Sequence, residues 1–224
     1  MLNQKDVAFI ESIFTFWNRL NPLQKSLILG NAMPVNYARG ENIHSGENDC
    51  IGVLLIKSGE LRTYMLSEDG REITLYRLTQ GDVCILSASC ILKSITFEVL
   101  IDASTDSEVL LINSSIFQQI CDANIYAENF SYKMAADRFS DVMWAMQQIL
   151  FMSFDKRLAL FLVDELSRNG KDSIALTHEQ IAKYVGSARE VVSRMLKYFE
   201  NEGLVKLSRG AVTVIDKDRL GKLT

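Results

Sequence analysis

The sequence predicts an α+β protein built from a roll of short β-strands, one long helix, and a C-terminal helix pair followed by a hairpin. Between residues 33 and 112, turn residues interrupt short apolar runs at intervals of ten to twenty positions, which is typical of a small all-β domain. An apolar pattern of helical period then covers residues 124–151. Residues 177–215 contain two short amphipathic helices and two alternating strands.

The first part of the chain predicts a β-roll of the jelly-roll, cupin-like type, preceded by short helices. β-Branched and aromatic side chains at alternating positions indicate the strands. The strands are predicted over residues 51–56, 61–66, 73–78, 95–101 and 109–112. Turns such as the one at Gly59 separate them, and helical spacing returns after Asn113. Residues 1–123 therefore form the first predicted domain.

A long helix follows, over residues that contain neither proline nor glycine. Its apolar side chains recur at alternating spacings of three and four, the heptad pattern of a helix that packs along a parallel partner. The predicted seam consists of Tyr132, Ala135, Phe139, Val142, Met146 and Ile149. The alternative is a helix packed against its own domain. Because the pattern is unbroken, the sequence favours residues 124–152 as the dimerisation helix of a homodimer.

The C-terminal part predicts a helix-turn-helix from its helix ends. Thr177 and Gln180 form a capping box that starts the first helix, and Gly186 ends that helix in a left-handed turn. Ser187 and Glu190 are expected to form a second capping box for the next helix. Two caps and a glycine at these offsets are typical of the crossed helix pair that binds in the major groove of DNA.

A DNA-binding function is indicated by the polar residues that helix packing leaves unexplained. The candidate base-contacting residues, on the first turns of the second helix, are Arg189, Glu190, Ser193 and Arg194. Arginine binds guanine O6 and N7 bidentately, and glutamate accepts from cytosine N4. The alternative is an ordinary solvated helix face. We favour base contacts because the caps, the glycine turn and these side chains occur together.

The residues after the helix pair predict a hairpin, or wing, in a part of the chain that is basic. Residues 204–207 and 211–215 alternate as strands around a turn at Arg209, which is placed to contact phosphate. Residues 177–224 hold nine Lys/Arg and six Asp/Glu, a net charge of +3, whereas the rest of the chain carries −7. The positive charge thus lies where phosphates would bind, and residues 153–224 are assigned to a winged helix-turn-helix domain.

Composition and motif content exclude several classes of protein. The 224 residues are 48% hydrophobic and 23% charged, as in a soluble globular protein. Neither a signal segment nor a membrane span is expected, so no membrane partner is predicted. Four irregularly spaced cysteines favour a reducing cytoplasm over secretion. Glycine-rich phosphate loops and hydrolase motifs do not occur, and two histidines offer little acid–base chemistry, so neither an enzyme nor a catalytic residue is expected.

This arrangement resembles the Crp/Fnr superfamily of bacterial transcription regulators over nearly the whole chain. The resemblance is strongest in T-H-E-Q-I-A-K-Y-V-G-S-A-R-E-V-V-S-R-M-L-K-Y-F-E-N-E-G-L-V, and it is clear in L-I-K-S-G-E-L-R, E-D-G-R-E and the G-D after Gln80. It implies a homodimer on double-stranded DNA, bound to a palindrome with half-sites about one helical turn apart. The implied base contacts are Arg189, Glu190 and Arg194, with Ser193 tuning preference. The expected phosphate contacts are Thr177, His178, Ser187 and Arg209. RNA polymerase is a further partner if the protein is an activator.

The resemblance also implies a sensor in the β-roll, but the cyclic-AMP motif is altered. Cyclic-AMP-binding members carry Arg-Ser or Arg-Thr where this chain has Phe97-Glu98, and a glutamate there repels phosphate. We therefore expect a small-molecule effector other than cyclic AMP, of unknown identity. The candidate pocket consists of Leu86, Ser87, Ala88, Ser89, Phe97 and Glu98. Its first four residues are either an anion site made by backbone N–H groups or a structural turn with capping serines.

Two alternative functions stay open. Cys84 and Cys90 flank the pocket segment, so a thiol switch or a metal-cluster sensor is one of them, although buried cysteines are more often inert. The N-terminal cysteine group of the oxygen-sensing branch is missing because no cysteine precedes Cys50, and no C-x-x-C occurs, so no metal ligands are assigned. The other alternative is a ligand-binding regulatory module without DNA activity.

Overall fold

The computed structural model describes residues 2–45, 51–85 and 99–224. By compactness the chain forms two units, one of Met1–Met65 with Leu75–Val142 and one of Leu66–Thr74 with Met143–Thr224. The α+β class is confirmed: β-sheets and short helices come first, then a long helix, then a helix-turn-helix with a hairpin. The predicted domain boundaries after residues 123 and 152 remain a prediction, and they fall at the two ends of the long helix.

In its described residues, the first unit contains two antiparallel sheets, four α-helices and one turn of 3-10 helix, Trp17–Arg19. The strands are β1 Ala32–Tyr37, β2 Asn42–His44, β3 Val53–Ser58, β4 Leu61–Leu66, β5 Glu72–Leu78, β6 Val83–Cys84, β7 Leu100–Ala103 and β8 Ser107–Ile112. One sheet has the order β1-β8-β3-β6 and the other β2-β7-β4-β5. The helices are α1 Gln4–Ile13, α2 Pro22–Gly30, α3 Ser114–Ala123 and α4 Ile125–Phe151, which extends into the second unit.

Strands β3 and β8 form the centre of the first sheet and of its core. Four consecutive residues of β3, Val53 to Ile56, are fully buried. Alternation would leave every second side chain in water if only one face were covered, so both faces of this strand are covered. α1 packs against β3 and supplies part of that cover. The predicted strand over 51–56 thus exists, shifted to Val53–Ser58, and the predicted strand over 95–101 is described only from Leu100.

A partly buried ion-pair cluster joins α1 to the first sheet. The Lys57 ammonium donates to Asp6 Oδ1 at 2.7 Å and also to Glu108 Oε1. Asp6 is 1% exposed and its other oxygen accepts from the backbone N–H of Asn3, which caps α1. Burial acts to raise the pKa of Asp6, but the hydrogen bonds from Lys57 and Asn3 outweigh it and hold that pKa below its usual value.

Replacing Lys57 with methionine is therefore expected to destabilise the first unit by about 3 kcal/mol at neutral pH, because Asp6 would be buried without a cation. A group whose pKa is lowered by folding stabilises the fold above its unfolded pKa, and this contribution is lost as the pH falls through its folded pKa. The penalty of the variant should accordingly shrink in acid. Urea unfolding at several pH values measures it, with the exposed Lys5→Met on the same helix as control. Equal penalties in both variants would contradict the assignment.

The second unit contains the winged helix-turn-helix. Its elements are α5 Phe154–Asn169, β9 Ser173–Ile174, α6 His178–Val185, α7 Arg189–Asn201, β10 Val205–Ser208, β11 Ala211–Val214 and α8 Lys217–Gly221. The sheet order is β10-β11-β9, so the wing hairpin gains a third, short strand. Residues Leu66–Thr74 belong to this unit, and Glu72 pairs with Lys183 of α6 at 2.7 Å.

The turn between α6 and α7 confirms one predicted cap and corrects the other. Thr177 and Gln180 form the expected capping box, and Gly186 is left-handed at φ +62°. The second capping box, of Ser187 with Glu190, is wrong: α7 starts after Ala188, which has no side-chain cap. Ser187 belongs to the end of α6 instead, because its backbone N–H donates to the carbonyl of Ala182 and completes the C-terminal turn of that helix.

Candidate nucleic-acid interface

α7 is strongly two-sided, and its outer face carries the predicted base-contacting side chains. Its buried face consists of Val192, Leu196 and Phe199. Arg189, Glu190 and Arg194 are exposed on the first two turns, and Ser193 beside them is half-buried. The two helices share one hydrophobic core, in which Ala182 of α6 is only 3% exposed. The four side chains thus share one accessible face of a rigidly packed helix.

The arginines of this surface carry charge that no acidic residue in the described part of the chain neutralises by an ion pair. Among residues 2–45, 51–85 and 99–224, Arg189, Arg194 and the exposed Arg209 take part in no ion pair. Other cations of the same unit do, such as Lys197 with Glu200 and Arg168 with Asp164, both at 2.7 Å. Uncompensated guanidinium groups on one surface favour a polyanion as the partner.

A cleft of about 430 Å³ lies between the start of α6, the start of α7 and the turn of the wing. It is lined by Thr177, His178, Glu179, Arg189, Ser208 and Gly210. The folding of three separate segments therefore brings together Thr177, His178 and Arg189, and the wing residues on either side of Arg209. Ser187 is half-buried in the turn between the helices. α7 starts at this cleft without a side-chain cap, which leaves its first N–H groups available to an anionic ligand.

One contact within this surface was not foreseen from the sequence. His178 Nδ1 lies 2.9 Å from Ser193 Oγ, so a residue expected at a phosphate is hydrogen-bonded to a residue expected at a base. Burial, together with the nearby charge of Arg189, lowers the pKa of His178 below its usual value, which favours the neutral ring. Fifteen residues separate the two, and only the crossing of α6 and α7 makes them neighbours.

The predicted effector pocket lies mostly outside the described residues. This holds for Leu86, Ser87, Ala88, Ser89, Phe97 and Glu98, and for Cys90, so the predicted Cys84–Cys90 pair is not described. Cys84 itself is buried in β6, 1% exposed. Burial withholds a thiol from reagents in solution, so the position of Cys84 lends no support to a thiol switch.

The first unit contains a largely buried polar cluster around Arg138 that was not predicted from the sequence. Arg138 of α4 donates to Asp141 at 2.7 Å and to Asp82 at 3.4 Å, and its guanidinium lies 5.1 Å from the centre of the Tyr76 ring. Burial raises the pKa of the Tyr76 hydroxyl far above its usual range. The hydroxyls of Tyr76 and Thr63 adjoin each other within the roll without the geometry of a full hydrogen bond. No motif links these residues, because they come from separate segments of the chain.

α4 exposes a long apolar stripe whose register differs in part from the predicted seam. The exposed members are Tyr132, Phe139, Met143, Met146 and Leu150. Ala135, Val142 and Ile149, also predicted for the seam, are half-buried within the chain. The open stripe therefore keeps Tyr132, Phe139 and Met146 from the prediction and adds Met143 and Leu150. Its members repeat at intervals of seven, as in a helix that lacks a partner.

Known protein families match both halves of the chain. Residues 34–124 match the cyclic nucleotide-binding domain, and residues 156–223 match the Crp-like helix-turn-helix domain. The second match contains the cleft and the outer face of α7. Among the described residues, no helix is long and apolar enough to cross a membrane.

Individual proteins are similar to this chain over most of their own length. A crystal structure from Eubacterium rectale, of a protein assigned to the transcriptional regulators of the Crp/Fnr family, has 50% sequence identity and a TM-score of 0.92, and the match covers 95% of this chain and 99% of that chain. The cAMP-activated global transcriptional regulator CRP of Pasteurella multocida is 25% identical over 178 residues, 77% of this chain and 84% of that protein. The anaerobic regulatory protein of Haemophilus influenzae is 24% identical over 234 aligned positions, which cover 100% of this chain and 82% of that protein.

Proposed function

Since this chain belongs to the Crp/Fnr family and is a DNA-binding transcription regulator with a cyclic nucleotide-binding domain, we propose that it is a homodimer that binds a palindromic operator under the control of an effector in the β-roll. It acts in the cytoplasm, where bacterial DNA is accessible. The relatives from Pasteurella multocida and Eubacterium rectale are regulators of transcription, and no catalytic step is part of the proposal. RNA polymerase becomes a partner where the bound dimer activates a promoter.

The observation that carries the DNA-binding part is the outer face of α7. Arg189, Glu190 and Arg194 are exposed on one helix face, and the two arginines have no ion-pair partner among the described residues. Guanine offers two acceptors to such an arginine, and cytosine offers an amino donor to the glutamate. In the proposal these residues and Ser193 contact bases, while Thr177, His178, Ser187 and Arg209 contact the backbone. The cleft at the start of α6 and α7 accommodates the backbone beside the groove.

Selection from a library of duplexes with a randomised core tests this function directly. The purified protein should enrich a palindrome whose half-sites are centred about 10 base pairs apart or a multiple of that spacing, because two α7 helices related by a twofold axis meet successive major grooves on one side of the duplex. Binding of the selected duplex should weaken steeply with added salt, as expected for several phosphate contacts. Recovery of no preferred sequence would overturn the proposal.

The exposed stripe of α4 supports the homodimer. Large apolar side chains such as Tyr132, 61% exposed, and Leu150, 65% exposed, are arranged at heptad spacing along the helix. Water contact along such a stripe is unfavourable, and a second copy in parallel orientation removes it. A parallel pair also places the two recognition helices at symmetric positions, as a palindrome requires.

Replacing Phe139, which is 66% exposed, with aspartate is expected to weaken dimerisation at least about 100-fold, since two carboxylates would be buried against each other in the seam. Operator affinity should fall with it. Analytical ultracentrifugation measures the dimer, and a titration with operator measures binding. The control is Lys133→Gln, which makes the same change in charge at an exposed position beside the stripe. A Phe139→Asp protein that remains dimeric would place the interface elsewhere.

The effector in this proposal is a small molecule other than cyclic AMP. The sequence offers Phe97-Glu98 where cyclic-AMP-binding members have an arginine that binds the phosphate. Arg138, which belongs to α4 and pairs with Asp82 beside β6, gives the dimer helix a polar connection to the roll. An effector that is bound more tightly in one of two packings of the α4 pair would change the spacing of the two α7 helices and so operator affinity.

A further inference from the structure

The hydrogen bond between His178 and Ser193 connects two groups that face DNA in different ways. His178 is the first residue of α6 and lines the cleft, whereas Ser193 lies on the outer half of α7. The 2.9 Å separation of Nδ1 and Oγ is a normal hydrogen-bond distance, and both side chains are half-buried. The bond therefore fixes the orientation of a hydroxyl group that would otherwise rotate freely.

The direction of this hydrogen bond determines what Ser193 can offer to a base. A hydroxyl group has one hydrogen to donate and two lone pairs that accept. If Ser193 donates to Nδ1, only lone pairs are left, and they match the amino groups of adenine N6 or cytosine N4. If Ser193 accepts from Nδ1–H, its hydrogen is free for guanine O6 or N7, adenine N7 or thymine O4. The imidazole thus selects between two base preferences.

Charged groups of both signs lie around the imidazole. Glu179 follows it on α6, Arg189 faces it from α7, and the wing contributes the uncharged Ser208 and Gly210 to the same cleft. Burial and the charge of Arg189 hold the pKa of His178 low. A neutral imidazole has one N–H donor and one acceptor. A phosphate that accepts from Nε2–H therefore requires Nδ1 to be the acceptor for Ser193.

We propose that His178 is a positioning residue that couples backbone binding to base recognition. Its Nε2–H donates to a phosphate, its Nδ1 accepts from the Ser193 hydroxyl, and Ser193 then presents its lone pairs to the amino group of an adenine or a cytosine. This rests on the proposed operator binding and adds to it a defined role for a histidine that itself contacts no base.

Two amide substitutions separate the two nitrogens of the ring. The amide of asparagine lies near the position of Nδ1, so His178→Asn keeps a partner for Ser193 and loses the phosphate donor. The longer glutamine reaches the position of Nε2, so His178→Gln keeps the phosphate donor and loses the partner for Ser193. Both changes are small and lie at the start of a helix that Thr177 caps. Thermal melting verifies that each variant is folded.

The base preference of each variant is measured by quantitative selection from randomised duplexes. Ser193→Ala should lower the preference at one base pair per half-site by about three- to tenfold. His178→Gln should lower it at the same base pair by a similar factor, and the double variant should show no further loss. His178→Asn should retain the preference and weaken all sequences alike. These results together would support the coupling.

Contrary results are equally distinct. If His178→Gln leaves the base pair identified by Ser193→Ala unchanged, or if its effect adds fully to that of Ser193→Ala, the coupling is overturned while operator binding stands. If both amide variants weaken every sequence by one factor, His178 is a phosphate contact only and the coupling is again wrong. If the unaltered protein selects no sequence at all, the proposed function itself fails and takes this inference with it.

Discussion

Charge reversal at Arg194 is expected to abolish operator binding while leaving the fold intact. Arg194 is exposed on the second turn of α7 and forms no ion pair with a described residue, so no internal ion pair is lost. Removal of one base-contacting arginine costs about 1–3 kcal/mol. A glutamate additionally repels the phosphates, and a dimer carries the change twice. We expect Arg194→Glu to bind operator no more tightly than random DNA.

Binding titrations with the selected operator and with a scrambled duplex measure this effect. Arg168→Glu is the matched control, because it makes the same reversal of charge at a residue that lies on α5, outside the recognition helix, and pairs with Asp164. Arg194→Ala refines the assignment: a base contact predicts relaxed preference at one base pair of each half-site. A uniform loss for all sequences would make Arg194 a phosphate contact. Unchanged binding by Arg194→Glu would remove α7 from the interface.

The helix-turn-helix could be predicted because its determinants are local. A capping box needs residues three positions apart, and a left-handed turn needs one glycine, so Thr177 and Gly186 identify the first helix without tertiary knowledge. The same local reasoning failed at Ser187, since the backbone of Ser187 was already used to close α6. Local rules give the helices of this domain and become ambiguous where two helices compete for one residue.

Contacts between distant segments could not be predicted from the sequence. The bond from His178 to Ser193 depends on how α6 crosses α7, and the pairing of Lys57 with Asp6 depends on α1 packing over a strand 51 residues later. Neither pair follows a period or a motif. Short strands were missed for a related reason, because β6 has two residues and its pairing with β3, not its composition, makes it a strand.

The seam of α4 illustrates the difference between a pattern and a surface. Heptad spacing predicts an apolar face but not which flank of that face the rest of the chain covers. Val142 and Ile149 are half-buried by the chain itself, whereas Met143 and Leu150, one residue later in each case, are exposed. The helix was predicted correctly, but its exposed apolar face is rotated by part of a turn relative to the predicted seam. Only the burial of the individual side chains reveals this rotation.

Substitution of Gly59 by alanine is expected to cause a large loss of stability in the first unit for the addition of a single methyl group. Gly59 links β3 to β4 at φ +86°, and a Cβ there would lie 2.5 Å from the Asp106 carbonyl oxygen, 2.7 Å from Ser107 Cα and closer still to Ser107 Oγ. Two of these atoms are backbone. The adjoining loop is itself fixed, since the backbone N–H of Glu60 donates to Thr105 Oγ1 at 2.9 Å. The overlap of the added methyl group with these atoms can therefore be relieved only if the two turns move apart.

Gly81→Ala in the same unit isolates the cost of the backbone conformation. Gly81 has φ +92°, but no atom lies within 4 Å of the place that an added methyl group would take, so that variant loses only about 1–2 kcal/mol. Gly59→Ala adds the overlap with backbone and should lose about 3 kcal/mol more. Urea unfolding of both proteins gives the two free energies. Equal losses of unfolding free energy would mean that the turn at Ser107 can move aside without destabilising the fold. The close packing of the two turns would then contribute nothing to the stability of the roll. Because that packing joins the start of β4 to the loop before β8, we expect the larger loss.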